Sequence, residues 1–219
     1  MNMQHDGLIG QPIAKRSGER FADRMRRISE ARLDEGALAT INCRISAGKV
    51  PWFAIRVRTG REQAVENALG AMDIATLVPM RRGPDLRRRG RIIVGSMMPV
   101  IHGYVLAQML PISDYLSGFL GIEHVIDILG GCDRQVRLSD KEVWRFNGLA
   151  EAGVYDWERP VDITLVQGEP VFIVAGPFAG QKAIVVTPNR KGRGDVVVAI
   201  AFMGGDVPAS VPLALIRKM

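Results

Sequence analysis

The fold is decided by the stretch WFAIRVRTGRE, which occupies residues 52–62. Its first half alternates, because Phe53, Ile55 and Val57 are apolar whereas Arg56 and Arg58 are charged. Successive side chains of a β-strand point to opposite faces of a sheet, so this period of two predicts a half-buried strand. Its second half, TGRE, matches a capping box, in which the Thr hydroxyl and the Glu carboxylate satisfy backbone amides at a helix start. The stretch therefore predicts a strand followed directly by a helix.

Further strands and helices are predicted up to residue 152. We expect strands over 76–80, 104–109 and 125–129, and a short helix capped by Ser113. A second capping box over 139–142 opens a helix that buries Val143, Phe146 and Leu149. The resulting order is β-α-β-β-α-β with one more helix, which predicts an α+β fold with a ferredoxin-like split βαβ sheet over residues 51–152.

A different pattern begins after a short connecting segment. Residues 153–160 end the helical periodicity and finish at Pro160, which restricts the residue before it, so we expect a linker there. From 161 to 219, short β-rich runs alternate with Gly and Pro turns. Closing such short strands into a barrel hides sheet edges that a small domain could not protect otherwise. We therefore predict a small β-barrel over 161–219.

Residues 1–50 form a basic N-terminal extension. We expect Ser17 to cap a helix that ends near Gly36. Phe21, Met25 and Ile28 give this helix a narrow apolar stripe next to a row of arginines. Two interpretations stay open: a basic amphipathic helix that docks on RNA or a partner, and a solvated tail helix.

Composition favours a binding protein over an enzyme. The net charge of +6 favours polyanionic surroundings, meaning nucleic acid or an assembly that holds it. The sequence contains no phosphate-cradling glycine motif and no nucleophile-elbow motif, so we expect no catalysis and no cofactor. Cys43 and Cys132 stand far apart, with no Cys or His beside them, and indicate no metal site. Without a secretory signal or a membrane-spanning apolar run, we expect a cytoplasmic protein that does not bind membranes.

A cluster of six arginines is the densest charged feature of the sequence. Gly83-Pro84 and Gly90 predict a loop or hairpin tip there, and only Asp85 opposes the positive charge. Guanidinium groups this close repel each other and form bidentate contacts with phosphates, so we expect phosphate binding without base readout; the alternative is a solvated basic loop. The predicted nucleic-acid-binding residues are Arg81, Arg82, Arg87, Arg88, Arg89 and Arg91.

The motifs over residues 51–219 resemble those of NusG-type transcription factors in both order and spacing. The likeness begins with Trp52-Phe53, the TGRE of 59–62 and the LVP of 77–79 before the basic loop. It continues with HGYVL at 102–106 and SDKEV at 139–143, which are similar to the docking strand and third helix of the family's amino-terminal domain. In the last region, GEPV at 168–171 and GPFAG at 176–180 resemble the family's KOW element.

The resemblance implies a function by binding. NusG amino-terminal domains dock on RNA polymerase, and their KOW domains, which are SH3-like barrels, recruit partners such as Rho or a ribosomal protein. The expected function is therefore that of a transcription elongation factor that modulates pausing or termination, of the antitermination type, in contact with the nucleic acid of the elongation complex. Carried over to this sequence, the polymerase-binding residues are Trp52, Ile101, Gly103, Tyr104 and Leu106, and the KOW partner loop contributes Gly176, Pro177, Phe178 and Gln181.

The expected docking strand can be checked by its alternation. Tyr104 and Leu106 should lie on one face of the sheet, and Gly103 and Val105 on the other. If helices cover the second face, we expect Tyr104 to lie near solvent on the first, where an aromatic with a polar tip is typical of interfaces. The alternative for Tyr104 and Leu106 is plain core packing.

Some residues depart from the family pattern. Val100-Ile101-His102 replaces a more aromatic lead-in to the Gly-Tyr pair, and Gln181 and Ala183 replace residues usual in the KOW element. These departures favour a specialised paralogue over a housekeeping factor. The alternative function is a stand-alone KOW-type RNA-binding or ribosome-associated protein, in which the α/β domain would be superfluous.

Overall fold

The computed structural model describes residues 13–189, 192–202 and 205–219, with the backbone alone at 13–20, 202 and 205. Residues 1–12 of the predicted extension lie outside the described residues. Four antiparallel strands form the first sheet, in the order β2-β7-β1-β8. With the helices between these strands, this is the ferredoxin-like arrangement that the sequence predicts. Its elements are β1 (Trp52–Val57), α2 (Glu62–Gly70), β2 (Thr76–Leu77), β7 (Tyr104–Gln108), α3 (Ser113–Gly118), β8 (Val125–Ile128) and α4 (Asp140–Glu151).

Both faces of the first sheet are apolar and covered. On the first face, Phe53 and Ile55 of β1 join a core with α2, α3 and the N-terminal helix α1 (Ile13–Ile45). On the opposite face, Trp52 and Ala54 join a second core. The prediction of a half-buried β1 was therefore wrong for Trp52 to Ile55, which are all buried. Among the six strand residues, Arg56 alone is exposed. An uninterrupted apolar run from Trp52 to Ile55 is typical of a strand buried on both sides.

One predicted capping box is confirmed and the other was wrong. Ser139 caps α4, with its hydroxyl accepting from the Glu142 amide at 3.3 Å and the Glu142 carboxylate accepting from the Ser139 amide at 2.8 Å. At α2, however, the N-cap position is Arg61, without a side-chain cap. Glu62 is buried instead and accepts from the Gly103 amide at 2.7 Å, so its carboxylate holds the turn before β7. Ser113 begins α3, whose N-cap position is Ile112.

An extended hairpin interrupts the fold between β2 and β7. The predicted strand over 76–80 divides at Val78–Pro79, and β3 (Met80–Arg82) pairs with β6 (Met97–Pro99) at the hairpin base. Beyond them, β4 (Leu86–Arg88) pairs with β5 (Arg91–Ile93). The turn between β4 and β5 has positive φ at both Arg89 (50°) and Gly90 (77°), as a tight hairpin turn requires.

The last region forms a second antiparallel sheet, in the order β12-β11-β10-β9-β13. A short 3-10 helix, Leu213–Leu215, separates its last two strands. This all-β unit is of the SH3-like class expected for a KOW domain. Its strands are β9 (Pro170–Ile173), β10 (Lys182–Thr187), β11 (Asp195–Phe202), β12 (Gly205–Pro212) and β13 (Ile216–Lys218).

The N-terminal helix is longer than predicted. It runs through both Ser17 and Gly36, so neither residue marks an end. Leu33 is fully buried in the core on the helical side of the first sheet. A Cβ at Gly36 would lie 2.7 Å from the Met109 sulfur, which shows how closely this part of the helix approaches the domain. Phe21 of the predicted stripe is 67% exposed, because the helix extends past the surface on which its later turns pack.

We predict that Ser139→Ala lowers the free energy of unfolding by about 1 kcal/mol, because α4 loses its side-chain cap. Hydrogen bonds from the Ser139 amide and hydroxyl lower the pKa of the Glu142 carboxyl below its ordinary value. A lowered carboxylate pKa gives stability that is present above the unfolded value and lost as pH falls through the folded value. The difference between wild type and variant should therefore shrink in acid. Urea titrations at neutral and acidic pH measure it, with Ser113→Ala as the control, since Ser113 does not cap its helix. Equal effects of the two variants would contradict the prediction.

Candidate functional site

The residues predicted to bind polymerase lie together but are buried. Tyr104 and Leu106 share one face of the first sheet, as the alternation predicts, while Val105 belongs to the helical side. Tyr104 is 9% exposed and Trp52 3% exposed. The expectation that Tyr104 lies near solvent therefore does not hold in this arrangement. Helices do cover the far face, but the second sheet and α4 cover the near one.

The second sheet reaches Tyr104 through the predicted KOW loop. The rings of Tyr104 and Phe178 meet edge to face, with centroids 5.1 Å apart and an interplanar angle of 86°. Gly176, with φ +81°, lies against Phe146 and Ile101, and a Cβ there would be 3.1 Å from the Phe146 ring. Burial raises the pKa of the Tyr104 phenol above its ordinary value. The predicted docking face and the predicted partner loop thus bury each other, in what we call the closed arrangement.

A hydrogen bond from its indole N–H holds the Trp52 side chain in place. Its indole N–H donates to Asp140 Oδ1 at 2.6 Å, and Gln108 donates to the same oxygen at 3.2 Å. Trp144 meets the Trp52 ring edge to face at 6.2 Å, and 56% of Trp144 is exposed. Trp144 was not among the site residues predicted from the sequence. It could have been found, because it falls between the buried positions Val143 and Phe146 on the solvent side of α4.

Gly103 has a structural role in the turn before β7. Its φ of +80° lies in the left-handed region, which glycine adopts without strain. A Cβ at this position would lie 3.3 Å from the Val57 carbonyl oxygen. The turn therefore needs glycine whether or not this residue also contacts a partner.

The six clustered arginines divide into two groups. Arg87, Arg88, Arg89 and Arg91 are exposed on the outer hairpin, and Arg82 is exposed at its base. Arg81 differs, because it is 1% exposed. Its guanidinium contacts Asp195 Oδ2 at 2.7 Å and the Tyr155 carbonyl oxygen at 3.2 Å, and it lies 5.6 Å from the centroid of the Trp157 ring. Arg81 is therefore removed from the predicted phosphate-binding set, since a phosphate cannot reach it in the closed arrangement.

Arg81 and Asp195 form a buried ion pair between the hairpin base and the second sheet. Arg81 Nε and Asp195 Oδ1 are also buried and have no hydrogen-bond partner among the described residues. Each buried unsatisfied atom retains part of its desolvation cost, so the pair holds the two parts together with less than its full strength. Asp195 also accepts from the Ser210 hydroxyl at 3.3 Å.

Residues of the predicted linker, 153–160, also contact the hairpin base. The Arg82 amide donates to Asp156 at 2.9 Å, and the Asp85 amide donates to Glu158 at 3.2 Å. Glu158 also pairs with Arg193, in the loop before β11 of the second sheet, at 2.7 Å. Residues 155–158 thus lie between the hairpin base and the second sheet, and Tyr155 is 2% exposed. Burial raises the pKa of Tyr155 to about 12.

The described residues show neither a metal cluster nor a membrane-spanning helix. Within residues 13–189, 192–202 and 205–219, no three His, Cys, Asp or Glu side chains are grouped to hold a metal ion. No helix in this part of the chain has the length and apolarity needed to cross a bilayer.

Comparison with known proteins identifies the first domain. A sequence model of the NusG family, described as transcription termination factor nusG, matches residues 50–147. Residues 50–147 are a NusG domain. The matched region contains Trp52, Ile101, Gly103, Tyr104 and Leu106 together with the basic hairpin. The description of the matching family relates this segment to transcription factors.

Solved structures give two further similarities. The chain is 19% identical to Thermotoga maritima NusG, in a structure that describes its domain interaction; the match covers 78% of this chain and 98% of that one, with a TM-score of 0.39. It is 17% identical to a chain of the MjSpt4:Spt5 complex in conformation A, covering 77% of this chain and 97% of that one, with a TM-score of 0.25. No curated protein matches the sequence.

We predict that Arg81→Ala destabilises the protein by about 3–5 kcal/mol, because it leaves the Asp195 carboxylate buried without its counter-charge. The matched control is Arg193→Ala, which breaks an ion pair of the same 2.7 Å length whose side chains are 53% and 36% exposed. An exposed pair contributes at most about 1 kcal/mol. Urea unfolding of the full chain measures both variants. If the two variants unfold at the same urea concentration, the buried Arg81–Asp195 pair contributes no more stability than the exposed Arg193–Glu158 pair, and the prediction is wrong.

Proposed function

We propose that this protein is a transcription elongation factor that binds RNA polymerase through Trp52, Ile101, Gly103, Tyr104 and Leu106. The observation that carries the proposal is the NusG match over residues 50–147, which contains all five residues. Four of them, Trp52, Ile101, Tyr104 and Leu106, belong to one core on the same side of the first sheet. We further propose the units 51–152 and 161–219, joined by 153–160. The outcome is modulation of pausing or termination, of the antitermination type, with Rho or a ribosomal protein as the partner of the loop at Gly176–Gln181.

The closed arrangement makes the two proposed binding sites mutually exclusive while it lasts. Polymerase cannot reach Tyr104 while Phe178 lies 5.1 Å from it, and a partner cannot reach Phe178, which is fully buried. The apparent affinity for polymerase is then reduced by the fraction of molecules that are open. When polymerase displaces the second sheet, the Gly176–Gln181 loop is released for its own partner. Polymerase binding and partner recruitment are coupled by this shared surface.

Two variants of the same aromatic contact test the proposal. Tyr104→Ala and Phe178→Ala each remove one ring of the edge-to-face pair, so both should weaken the closed arrangement. Of these two residues, Tyr104 belongs to the proposed docking face and Phe178 does not. We predict that Tyr104→Ala lowers affinity for RNA polymerase by roughly thirtyfold, as truncation of an interface anchor does. Phe178→Ala should raise the affinity, because more molecules are open.

The measurement is titration of labelled full-length protein with core RNA polymerase, alongside thermal unfolding of each variant. Ile184→Ala serves as the control, since this side chain is 52% exposed on the second sheet away from the contact. A folded Tyr104→Ala variant with wild-type affinity contradicts the docking role of Tyr104. A Phe178→Ala variant that is folded and binds no better than wild type contradicts the proposed competition between closure and docking.

The exposed hairpin arginines supply the proposed nucleic-acid contact. Arg88 and Arg91 lie directly opposite each other in the ribbon, and like charges at such positions destabilise a hairpin unless an anion lies between them. We predict that replacing Arg87, Arg88 and Arg89 by Ala reduces the salt dependence of binding to nucleic-acid-loaded polymerase by up to about 2–3 in log–log slope. Fluorescence titrations over a range of salt concentrations give that slope. An unchanged slope would show a solvated loop that contacts no phosphate.

A further inference from the structure

The outer hairpin exposes aliphatic side chains that phosphate binding does not require. Leu86 and Ile92 are each 61% exposed, Ile93 is 48% exposed, and Val94 is 61% exposed. A cluster of exposed aliphatic residues on so short an element is typical of an interaction site. The occupant of the hairpin must therefore offer apolar surface together with negative charge.

The register places both chemistries on each side of the ribbon. Leu86 lies opposite Ile93, and Arg88 lies opposite Arg91. Residues two apart along a strand share a face, so one side carries an aliphatic pair next to an arginine pair near the turn. On the other side, Arg87 lies opposite Ile92. The ribbon can thus contact apolar groups and phosphates at the same time.

The hairpin base holds this ribbon in place. Gly83 donates to the Ser96 carbonyl oxygen at 2.9 Å, and Gly95 donates to the Asp85 carboxylate at 2.9 Å. A Cβ at Gly95 would lie 2.0 Å from the Gly83 carbonyl oxygen, so the two strands pass too closely there for any side chain. The Asp85 amide is bound in turn by Glu158. A ribbon anchored in this way is ordered before a ligand arrives, which lowers the entropic cost of binding.

Charge and composition select among possible occupants. A second copy of the hairpin would bring its own arginines into repulsion with these. Single-stranded nucleic acid is bound chiefly by stacking on aromatic side chains, and residues 80–99 contain no aromatic residue. The major groove of B-form DNA is about 12 Å wide and admits a two-stranded β-ribbon, whereas the minor groove is about 6 Å wide. The major groove also presents thymine methyl groups between two rows of phosphates.

We propose that the β4–β5 ribbon enters the major groove of duplex DNA, with its aliphatic side chains on thymine methyl groups and its arginines on the flanking phosphates. This rests on the proposed nucleic-acid contact of the hairpin and specifies its ligand. The contact favours thymine-containing steps weakly and reads no longer sequence, because aliphatic side chains supply no hydrogen bonds to base edges.

The test uses the full chain and a thymine-rich DNA duplex, measured by fluorescence anisotropy over a range of salt concentrations. Leu86→Ala with Ile93→Ala should weaken binding about tenfold, since several aliphatic carbons lose their contacts. The salt slope should stay unchanged, because the arginines remain in place. Arg88→Ala with Arg91→Ala should instead lower the slope by up to about 2. The matched control, Leu120→Ala with Ile184→Ala, truncates a leucine and an isoleucine of similar exposure elsewhere and should bind like wild type.

A duplex with uracil in place of thymine isolates the groove contact, because it lacks only the methyl groups. Wild type should bind it about fourfold more weakly per contacted methyl group. The Leu86→Ala, Ile93→Ala variant should lose less affinity on this replacement, because it has already lost the side chains that contact the methyl groups. Equal binding of the two duplexes by wild type, or equal binding of single-stranded DNA, overturns the proposal. Polymerase binding by the same aliphatic variant is measured separately, so a failure of the groove contact is distinguishable from a failure of polymerase docking.

Discussion

A sheet that is apolar on both faces has to be covered on both faces. The paired strands β1 and β7 place Phe53, Ile55 and Val105 on one side and Trp52, Tyr104 and Leu106 on the other. Leaving either set in water would forfeit roughly 1.5–3 kcal/mol for each large side chain. The helices α1, α2 and α3 cover the first side. On the second side, α4 covers part of the sheet, and the remaining area receives the second sheet.

This constraint explains why the proposed docking surface is hidden. An apolar face able to bind a large partner is also able to bind any apolar surface carried by the same chain. The loop at Gly176–Gln181 supplies such a surface, with Phe178 against Tyr104 and Gly176 against Phe146 and Ile101. Because this contact is intramolecular, it forms at a high effective concentration and competes with any external partner. The same residues can therefore serve both closure and recognition.

Polar contacts fix the relative orientation of the first domain and the second sheet, which apolar packing alone would not determine. The Arg81–Asp195 pair joins the hairpin base to the second sheet, and the Glu158–Arg193 pair joins the linker segment to the loop before β11. Arg81 Nε and Asp195 Oδ1 are buried without a hydrogen-bond partner among the described residues. Such an ion pair adds little net stability, but it favours one relative orientation of the two parts. Because the net stability from this pair is small, an external partner can compete with the closed arrangement. The neighbouring arginines of the hairpin, which have no such carboxylate in contact among the described residues, remain available to an anionic ligand.

The sequence by itself determined the elements and their order. Alternation predicted β1, the Ser139 capping box predicted α4, and Gly90 predicted the hairpin turn, because these signals act between residues close along the chain. It also indicated a resemblance to the NusG family, through motifs over residues 51–219, and the family model matches residues 50–147 of that region. Only the tertiary structure decided that Glu62 binds the Gly103 amide instead of capping its own helix, and that Tyr104 is covered by Phe178. Only the tertiary structure separated Arg81, paired with a carboxylate 114 residues away, from arginines that the sequence treats as equivalent. Burial and partnership depend on which distant segments meet, and a local pattern of residue types contains no information about that meeting.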